Sequence, residues 1–466
     1  MNRTKIIATV GPSSENSEVL KDLILEGVNV FRLNMSHINT LDDLEQITNS
    51  IRTASKRAKK DIGILMDLAG PKIRVDIQSE IKVKENDVLT IGTDKSDIGI
   101  NMNPGFNSVQ LNSKIKIDDG KLVFDVVEKI NDSKLEIKSL NDGVIKNRKG
   151  VNFPNIKLDL PALTDKDIDD IKKGVDVNVD WFALSFVRSD LDYKALKNIL
   201  VKYNSDKPVI AKIEKPEAVD NLDAIVKKFD GVLVARGDLG VEVGFEMVPI
   251  IQKRIIRSCH KYGKPVILAT QMLESMISNN IPTRAEVNDV AVSVENSCDA
   301  VMLTAETSIG EYPVEAVKMM QSIILNMENE IEKYTNFKGV YSTVKEKSIQ
   351  NSICHSACNM AEELNIDLII AMTESGSTAI SISSFRPNAM IIAMSPNKEV
   401  CKKLNLVWGL NAVLVDDFND SEDMLKNVQK YLLDNNISKK GSQYIIIAGV
   451  PVGVSGTTNL IRIENI

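Results

Sequence analysis

Cysteine is scarce in this sequence of 466 residues, and its five cysteines are odd in number and scattered along the chain. A secreted scaffold held together by disulfides is therefore excluded, and reduced, buried thiols are predicted instead. Cys354 and Cys358 lie four residues apart in the helical stretch SIQNSICHSACNMAEEL, beside His355, and could contact one metal ion. No second pair of ligands with matching spacing follows, so we expect both thiols to face a hydrophobic core.

The sequence also lacks long apolar runs and an excess of positive charge. No apolar run approaches the length needed to cross a membrane, and no secretory signal pattern precedes the first predicted strand, TKIIATV. The formal net charge is −7, so a broad electrostatic attraction to nucleic acid is not expected. We predict a cytoplasmic protein without membrane or nucleic-acid partners, in which a few placed cations bind any anionic ligand.

A third absence is that of a glycine-rich dinucleotide fingerprint after the first predicted strand, where the sequence reads VGPSSEN. This disfavours an open, doubly wound sheet. Patterns of buried strands alternate with amphipathic helical patterns eight times over roughly 250 residues, which is typical of a (β/α)8 TIM barrel. The eight predicted strands cover residues 4–10, 28–33, 61–66, 181–186, 209–213, 231–235, 265–270 and 299–304.

The helical periodicity stops between the third and fourth predicted strands. Residues 75–155 contain short alternating stretches such as VLTIG and KIKIDDG, which predict an inserted β-rich lid domain. After a polar stretch at 333–347, interpreted as a linker, strands and helices alternate again in a C-terminal α/β domain. The predicted domain limits are 1–71 and 156–335 for the two parts of the barrel, 72–155 for the lid and 345–466 for the C-terminal domain.

Charged side chains follow two neighbouring predicted strands between residues 208 and 240. Lys212 and Glu214 end the first of these strands, and Asp238 follows the second. Because parallel strands present their carboxyl ends on one side, we expect these three side chains to lie close together. Two carboxylates beside one ammonium suit Mg²⁺ bound to phosphate, and a surface salt bridge is the alternative interpretation. Other strand ends also carry polar residues: Arg32, Asn34, Ser36, Asp67, Ser185, Arg188, Thr270 and Glu306.

Several strings of residues resemble the pyruvate kinase family and run in that family's order. They include TKIIATVGP, FRLNMSH, DLAGPKIR, AKIEKPE, VARGDLG, ATQMLESM with PTRAE and, in the tail, TESGSTAI and GTTN. The resemblance covers essentially the whole chain and implies the architecture described above. It also implies transfer of the phosphoryl group of phosphoenolpyruvate to ADP, giving pyruvate and ATP, with Mg²⁺ or Mn²⁺ as the cofactor and a homotetrameric assembly.

The resemblance implies roles for individual residues of this sequence. Glu214 and Asp238 would hold the divalent ion, and Lys212 would stabilise charge on the phosphoryl group during transfer. The catalytic residues would be Lys212, Thr270 and Arg32. The substrate would contact Arg32, Lys212, Gly237, Asp238 and Thr270. The nucleotide would contact Asn34, Ser36, His37, Arg74 and Lys149.

Some members of the family that this sequence resembles require K⁺. Family members that use K⁺ bind it through residues matching Asn34, Ser36, Asp67 and the backbone of Leu68. Lys72 stands where those members usually carry Glu, and its ammonium could supply the charge of the ion. We therefore predict turnover without K⁺.

A regulatory ligand is also implied for the C-terminal domain. The loop resembles one that binds an effector's phosphate in related enzymes, and the effector would be a sugar phosphate or AMP. A helix entry without a ligand is the alternative interpretation. The loop residues concerned are Thr373, Ser375, Gly376, Ser377 and Thr378.

Two other functions are compatible with the strand-end residues alone. A magnesium-dependent barrel lyase or aldolase acting on pyruvate or phosphoenolpyruvate would also use two carboxylates, but it would not need the lid or the tail domain. A non-catalytic relative is disfavoured because the residues with implied catalytic roles are intact. In a purely structural interpretation, Arg32 would pair with Glu214 or Asp238, and His37 would be a structural hydrogen-bonding residue.

Overall fold

Eight parallel strands form a closed barrel in the computed structural model, which describes residues 2–334, 348–418, 420–449 and 458–466. The barrel strands, numbered along the whole chain, are β1 Lys5–Thr9, β2 Val28–Asn34, β3 Gly63–Asp67, β12 Trp181–Leu184, β13 Val209–Ile213, β14 Gly231–Ala235, β15 Val266–Ala269 and β16 Ala300–Leu303. Their spatial order is β1-β16-β15-β14-β13-β12-β3-β2, which confirms the predicted TIM barrel. Most of the predicted linker at 333–347 and the first two residues of the GTTN segment lie outside the described residues.

The barrel strands are apolar because both of their faces are buried. Ile7 and Leu65 point into the barrel and belong to an inner hydrophobic cluster. Their neighbours Ile6 and Ile64 belong to a larger cluster between the strands and the surrounding helices. Alternate residues of a strand point to opposite faces, so a strand covered on both sides reads as a continuous apolar run.

Helices surround the barrel and begin at well-defined caps. They are α1 Ser17–Leu25, α2 Leu41–Ala58, α3 Asp165–Asp176, α4 Asp190–Lys202, α5 Pro216–Asp220, α6 Leu222–Lys228, α7 Arg236–Val243, α8 Val248–Tyr262, α9 Arg284–Glu295, α10 Ala305–Ser308 and α11 Pro313–Tyr334. Thr164 and Thr283 form capping boxes with Asp167 and Glu286 at the starts of α3 and α9. Gly263 ends α8 with a φ of 63°.

The segment between β3 and β12 forms its own sheets, as predicted for a β-rich insertion. Its strands are β4 Ile81–Val83, β5 Val88–Gly92, β6 Ile98–Gly99, β7 Lys114–Ile117, β8 Leu122–Asn131, β9 Lys134–Ser139, β10 Gly143–Ile145 and β11 Val151–Asn152. A six-stranded sheet has the order β11-β7-β8-β9-β5-β6, and β10 pairs with β4. A separate hydrophobic cluster that includes Phe106, Phe124 and Phe153 fills the insertion.

The C-terminal region is a separate α/β domain, as predicted. Its strands are β17 Leu368–Met372, β18 Met390–Ser395, β19 Leu410–Leu414, β20 Gln443–Gly449 and β21 Thr458–Asn465, in the order β19-β18-β17-β20-β21. Its helices are α12 Ile349–Glu363, α13 Ser377–Ser383, α14 Lys398–Leu404 and α15 Ser421–Asp434. Cys354 and Cys358 are buried in its hydrophobic cluster, and all five cysteines of the chain are free thiols.

The C-terminal domain packs against the amino-terminal end of the barrel. Leu406 belongs to the same cluster as the side chains inside the barrel. Arg386 forms a salt bridge of 3.1 Å with Asp299, which precedes β16, and the Lys5 ammonium of β1 donates to the Leu410 carbonyl at 2.8 Å. The inserted β segment lies at the other, carboxyl-terminal end of the barrel, where it contacts α7. None of the helices described here is long and apolar enough to cross a membrane.

Candidate active site

The barrel strands present charged residues toward the barrel axis at their carboxyl ends. Leu65 and Ile210 point into the barrel, so Asp67 and Lys212, two positions further along each strand, are directed the same way. The same alternation directs Arg32 of β2 toward the axis. The barrel interior thus changes from a hydrophobic core to a charged layer at its carboxyl-terminal end.

Asp67 is the centre of an ion network in this layer. Its Oδ2 accepts a hydrogen bond of 2.7 Å from Arg32 Nε and lies 2.7 Å from Arg32 Nη2. Its Oδ1 lies 3.2 Å from Lys212 Nζ. The structural interpretation that paired Arg32 with Glu214 or Asp238 is wrong, because Arg32 meets the carboxylate of the adjacent strand β3 instead.

Lys212 is held by three partners. Its ammonium lies 3.0 Å from Glu214 Oε1, donates to Ser185 Oγ at 2.8 Å and contacts Asp67 as described above. Burial alone would lower the pKa of Lys212, but Asp67 and Glu214 outweigh it and hold that pKa above its ordinary value. Burial would likewise raise the pKa of Asp67, but Lys212 and Arg32 hold it below its ordinary value. Both groups are therefore charged at neutral pH.

Glu214 is almost fully buried and carries one oxygen without a hydrogen bond. Its Oε2 accepts the backbone N–H of Phe186 at 2.8 Å. Its Oε1 accepts no well-directed hydrogen bond from the described residues, although Lys212 Nζ lies 3.0 Å away. Burial raises the pKa of Glu214, and the positive charge of Lys212 lowers it. The negative charge of the nearby Asp238 raises it again, so the pKa of Glu214 stays above its ordinary value. Glu214 and Asp238 thus lie close enough to repel each other.

Asp238 lies in the first turn of α7 and is paired with Lys72. The two side chains are 2.8 Å apart, measured from Lys72 Nζ to Asp238 Oδ1. Burial would raise the pKa of Asp238, but Lys72 holds it below its ordinary value. The Lys72 ammonium also lies 5.9 Å from the centre of the Phe186 ring. The backbone of Phe186 is in the left-handed region, with a φ of 57°.

Thr270 and Gly237 meet beside this network. The backbone N–H of Gly237 donates to Thr270 Oγ1 at 2.8 Å, and that hydroxyl donates to the Ala269 carbonyl at 2.5 Å. Thr270 has a φ of 70°, which is strained for a β-branched residue. A Cβ added to Gly237 would approach Thr270 no closer than 3.6 Å, so the protein itself leaves room for a side chain there. Without a side chain at Gly237, the backbone there is open to close approach by a ligand.

Comparison with known proteins identifies this arrangement. A family model described as the barrel domain of pyruvate kinase matches residues 1–317, and one described as its alpha/beta domain matches residues 351–464. The chain belongs to the pyruvate kinase family. Its activity is transfer of the phosphoryl group of phosphoenolpyruvate to ADP, giving pyruvate, and members of the family use a divalent metal ion. The lyase or aldolase alternative and the non-catalytic alternative are therefore not supported.

Individual pyruvate kinases are similar along the whole length of this chain. The enzyme of Staphylococcus epidermidis is 41% identical over 476 residues, which cover 100% of this chain and 80% of the relative. That of Staphylococcus haemolyticus is 42% identical over 475 residues, with the same coverage. A crystal structure of a pyruvate kinase from Cryptosporidium parvum has a TM-score of 0.93 at 36% identity, and the match covers 100% of this chain and 96% of that one.

The nucleotide residues implied by the pyruvate kinase resemblance do not join the ion network. Arg74 Nη1 donates to the Arg148 carbonyl at 3.1 Å, and Lys149 forms a salt bridge of 2.9 Å with Asp118, so both are held by the insertion. Asn34 Oδ1 accepts the N–H of Ser36 at 3.2 Å at the end of β2.

His37 follows Ser36 on the same loop. Its backbone N–H donates to the Asn34 carbonyl at 3.0 Å. Its side chain is exposed and makes no hydrogen bond to the described residues, so the structural hydrogen-bonding interpretation of its side chain is wrong. The side chain of a residue just beyond a strand end can turn outward, because the alternation of the strand no longer directs it.

The implied effector loop lies in the C-terminal domain, away from the ion network. Gly376 has a φ of 87°, and its N–H donates to Thr373 Oγ1 at 2.9 Å. Thr378 Oγ1 lies 2.7 Å from Thr458 Oγ1, and Ser375 Oγ donates to Ser377 Oγ at 3.2 Å. The loop is thus ordered by its own hydroxyl groups.

One buried carboxylate near the network was not singled out from the sequence. Glu242 of α7 is buried, and its Oε1 accepts hydrogen bonds from Lys215 Nζ at 2.6 Å and Asn152 Nδ2 at 2.8 Å. The signal available in the sequence was a glutamate inside the apolar string GVEVG, four residues after Asp238. Glu306, in contrast, was noted as a strand-end residue and turns out to accept backbone N–H groups from Leu273 and Thr304.

Proposed function

We propose that the network around Lys212 is the centre of phosphoryl transfer in this enzyme. The observation that carries the proposal is the position of the Lys212 ammonium, which lies within 3.2 Å of the carboxylates of both Asp67 and Glu214 at the open end of the barrel. This arrangement keeps Lys212 charged and fixed in place before substrate binds. A fixed cation stabilises the charge of a phosphoryl group in transfer without further reorganisation.

The proposed divalent ion, Mg²⁺ or Mn²⁺, fits the donor set of Glu214 and Asp238. Glu214 Oε1 has no well-directed hydrogen bond from the described residues, and the charge of the nearby Asp238 carboxylate acts on Glu214. No group of three or more His, Cys, Asp or Glu residues that could hold a metal occurs in the described part of the chain. A site with two carboxylates suits an ion whose remaining ligands are water and phosphate oxygens. When bound, such an ion would withdraw charge from the phosphoryl oxygens.

Substrate binding is proposed to use the groups that surround the network. Arg32 and Lys212 would contact the phosphate of phosphoenolpyruvate. Gly237 and Asp238, in the first turn of α7, would receive its carboxylate, since helix N-termini favour anions. The Gly237 N–H, which donates to Thr270 Oγ1, would then shift to the ligand. Thr270 would lie near the carbon that is protonated, through a water molecule, because its own hydroxyl proton is directed to the Ala269 carbonyl.

The nucleotide is proposed to bind between the barrel and the insertion. Arg74 and Lys149 would reach its phosphates from the insertion, with Asn34, Ser36 and His37 on the barrel side. The hydrogen bond from Lys149 to Asp118 raises the pKa of Lys149, and the smaller effect of burial opposes this, so the side chain is charged. ADP would therefore compete with Asp118 for the Lys149 ammonium.

Turnover without K⁺ is proposed on the position of Lys72. Its ammonium lies 2.8 Å from Asp238 Oδ1, next to the proposed site of the divalent ion. It thus supplies a fixed positive charge among the carboxylates. The K⁺ site that would use Asn34, Ser36, Asp67 and Leu68 has Asp67 already paired with Arg32 and Lys212.

Several assignments stay predictions. They are an effector at the loop 373–378, either a sugar phosphate or AMP, a homotetrameric assembly, a cytoplasmic location and the domain limits 1–71, 72–155, 156–335 and 345–466.

The test of the proposed centre is the variant Lys212→Met. We expect kcat to fall by about 10²–10³-fold or more, the cost of removing one transition-state donor, while phosphoenolpyruvate still binds. The measurements are a coupled assay for pyruvate, calorimetric binding of phosphoenolpyruvate and thermal unfolding to check the fold. Lys202→Met, at the exposed end of α4, is the matched control. A folded Lys212→Met enzyme with turnover like that of the control would refute the assignment.

A further inference from the structure

Arg236, the first residue of α7, is bound through every nitrogen of its guanidinium group. Nε donates to the Ala269 carbonyl at 3.1 Å, and Nη2 donates to the Thr270 carbonyl at 2.6 Å and to Met272 Sδ at 2.8 Å. Nη1 lies 2.8 and 2.7 Å from the two carboxylate oxygens of Asp289 in α9. Because the side chain is only 11% exposed, water and salt screen these contacts little. The guanidinium therefore joins the loop after β15 to a helix on the outside of the barrel.

The loop that Arg236 binds has an unfavourable backbone conformation. Thr270 and Gln271 both lie in the left-handed region, with φ angles of 70° and 54°. Two consecutive residues other than glycine seldom adopt this conformation, and it persists only where surrounding contacts hold it. The bonds from Arg236 are such contacts, because Nε and Nη2 bind the carbonyl groups on both sides of the Thr270 Cα. Arg236 thus fixes the backbone at Thr270.

The same contacts set the direction of the Thr270 hydroxyl. The Ala269 carbonyl accepts hydrogen bonds from both Arg236 Nε and Thr270 Oγ1, at 3.1 and 2.5 Å. With its proton directed to that carbonyl, Oγ1 is left as an acceptor, and it accepts the Gly237 N–H at 2.8 Å. A shift of the Ala269 carbonyl would turn the hydroxyl and change which donors Oγ1 can accept.

We propose that Arg236 is a positioning residue for protonation of the substrate carbon and acts through Thr270. This rests on the role proposed above for Thr270, which orients the water molecule near that carbon. Arg236 itself does not contact the substrate, because its guanidinium is bound to the loop and to α9. Asp289 holds the guanidinium through Nη1, while Nε and Nη2 bind the loop.

The test is the variant Arg236→Lys, which keeps the positive charge but loses the planar fork that reaches two carbonyl groups and a carboxylate. The measured step is exchange of the methyl protons of pyruvate in D₂O, followed by proton NMR with Mg²⁺ and ATP present. In this reverse reaction a methyl C–H bond breaks, its electron pair stays in the enolate, the proton passes to water and a deuteron replaces it. We expect exchange to slow about tenfold, the effect of losing one charge-assisted hydrogen bond, while the KM for phosphoenolpyruvate changes less than about threefold.

Arg52→Lys is the matched control, because the Arg52 guanidinium also binds two carbonyl groups and an aspartate, Asp180, but at the amino-terminal end of the barrel. It should lose thermal stability to a similar extent, while its exchange rate stays that of the unmodified enzyme. A folded Arg236→Lys enzyme that exchanges as fast as Arg52→Lys would overturn the proposal. If Arg236→Lys does not fold, Asp289→Asn decides the same comparison, with an expected fall of about threefold, since Arg236 then stays without the charge of its partner.

Thr270→Ala separates this proposal from the role of Thr270 itself. We expect Thr270→Ala to slow exchange, and the double variant of Arg236→Lys and Thr270→Ala to exchange no more slowly than Thr270→Ala alone, because Arg236 acts only through Thr270. A further fall in the double variant, by the full factor seen for Arg236→Lys, would show an independent role of Arg236 and overturn the proposal. Slow exchange in Thr270→Ala with normal exchange in Arg236→Lys would refute the role of Arg236 alone. Normal exchange in Thr270→Ala would refute the role of Thr270 and this inference with it.

Discussion

Lys212 illustrates how single residues acquire their properties in this enzyme. An ammonium group buried on its own would lose its proton easily, yet the carboxylates of Asp67 and Glu214 hold the pKa of Lys212 above its ordinary value. Arg32 in turn binds Asp67 and so compensates the negative charge of that carboxylate. The Lys212 ammonium therefore stays charged at any pH near neutrality and can interact with a phosphate.

Lys72 is the residue on which the potassium prediction depends. We expect the unmodified enzyme to turn over equally well in KCl and in tetramethylammonium chloride of the same ionic strength. Lys72→Glu removes the partner of Asp238 and adds a negative charge, so activity should become dependent on K⁺. The expected stimulation of the variant by KCl is about tenfold or more, equivalent to roughly 1.4 kcal/mol of transition-state stabilisation.

The matched control for this experiment is Lys82→Glu, a lysine of β4 in the insertion that is exposed. Its turnover should respond to KCl as the unmodified enzyme does. A stimulation of the unmodified enzyme by about tenfold above the ionic-strength control would contradict K⁺-independence.

At the scale of elements, α7 connects the barrel to the insertion. It begins directly after β14, carries Gly237 and Asp238 in its first turn, and carries Glu242 one turn later. Asn152 of β11 donates to Glu242, and the Lys116 ammonium of β7 donates to the Val241 carbonyl at 2.7 Å. The insertion is thus fixed to the helix that carries a proposed metal ligand.

Asn152→Ala tests whether this connection positions the insertion for the nucleotide. Glu242 keeps its bond to Lys215, so the stability of the fold should change little. We expect the KM for ADP to rise about three- to tenfold, because the variant loses one hydrogen bond to a charged group. The measurement is steady-state kinetics with varied ADP, alongside a thermal unfolding curve.

Asn141→Ala is the control for this prediction, since the Asn141 side chain binds Lys121 and Val123 within the insertion only. Its KM for ADP should match that of the unmodified enzyme. Equal KM values for Asn152→Ala and Asn141→Ala would show that the contact with α7 has no part in nucleotide binding.

At the scale of the whole molecule, ionisable side chains are buried where the C-terminal domain meets the barrel. Lys5 is 3% exposed, and burial lowers its pKa to about 8, opposed by the charge of Glu328. The folded pKa lies below the ordinary value of 10.5, so between these values the unfolded chain binds more protons than the folded one. The contribution of Lys5 to the free energy of unfolding therefore rises with pH across this window.

Lys5→Met should remove this pH dependence. Relative to the variant, we expect the unmodified enzyme to gain roughly 3 kcal/mol in free energy of unfolding as the pH rises from about 8 to 10.5, from the size of the pKa shift. The measurement is urea unfolding at several pH values. Lys56, at the end of α2, is exposed, so the free energy of unfolding of Lys56→Met should change with pH as that of the unmodified enzyme does. If the free energy of unfolding of Lys5→Met also changes with pH in the same way, Lys5 is not held at a lowered pKa.

The sequence by itself determined the barrel, the inserted sheets and the C-terminal α/β domain, because the periods of burial in strands and helices are local properties of the chain. It also placed Lys212, Glu214 and Asp238 at the ends of neighbouring strands. Only the tertiary structure decided which charges pair. Arg32 binds Asp67, Lys72 binds Asp238 and Glu242 binds Asn152, across 35, 166 and 90 residues. Such partners depend on strand order and on packing between domains, and neither follows from spacing along the chain.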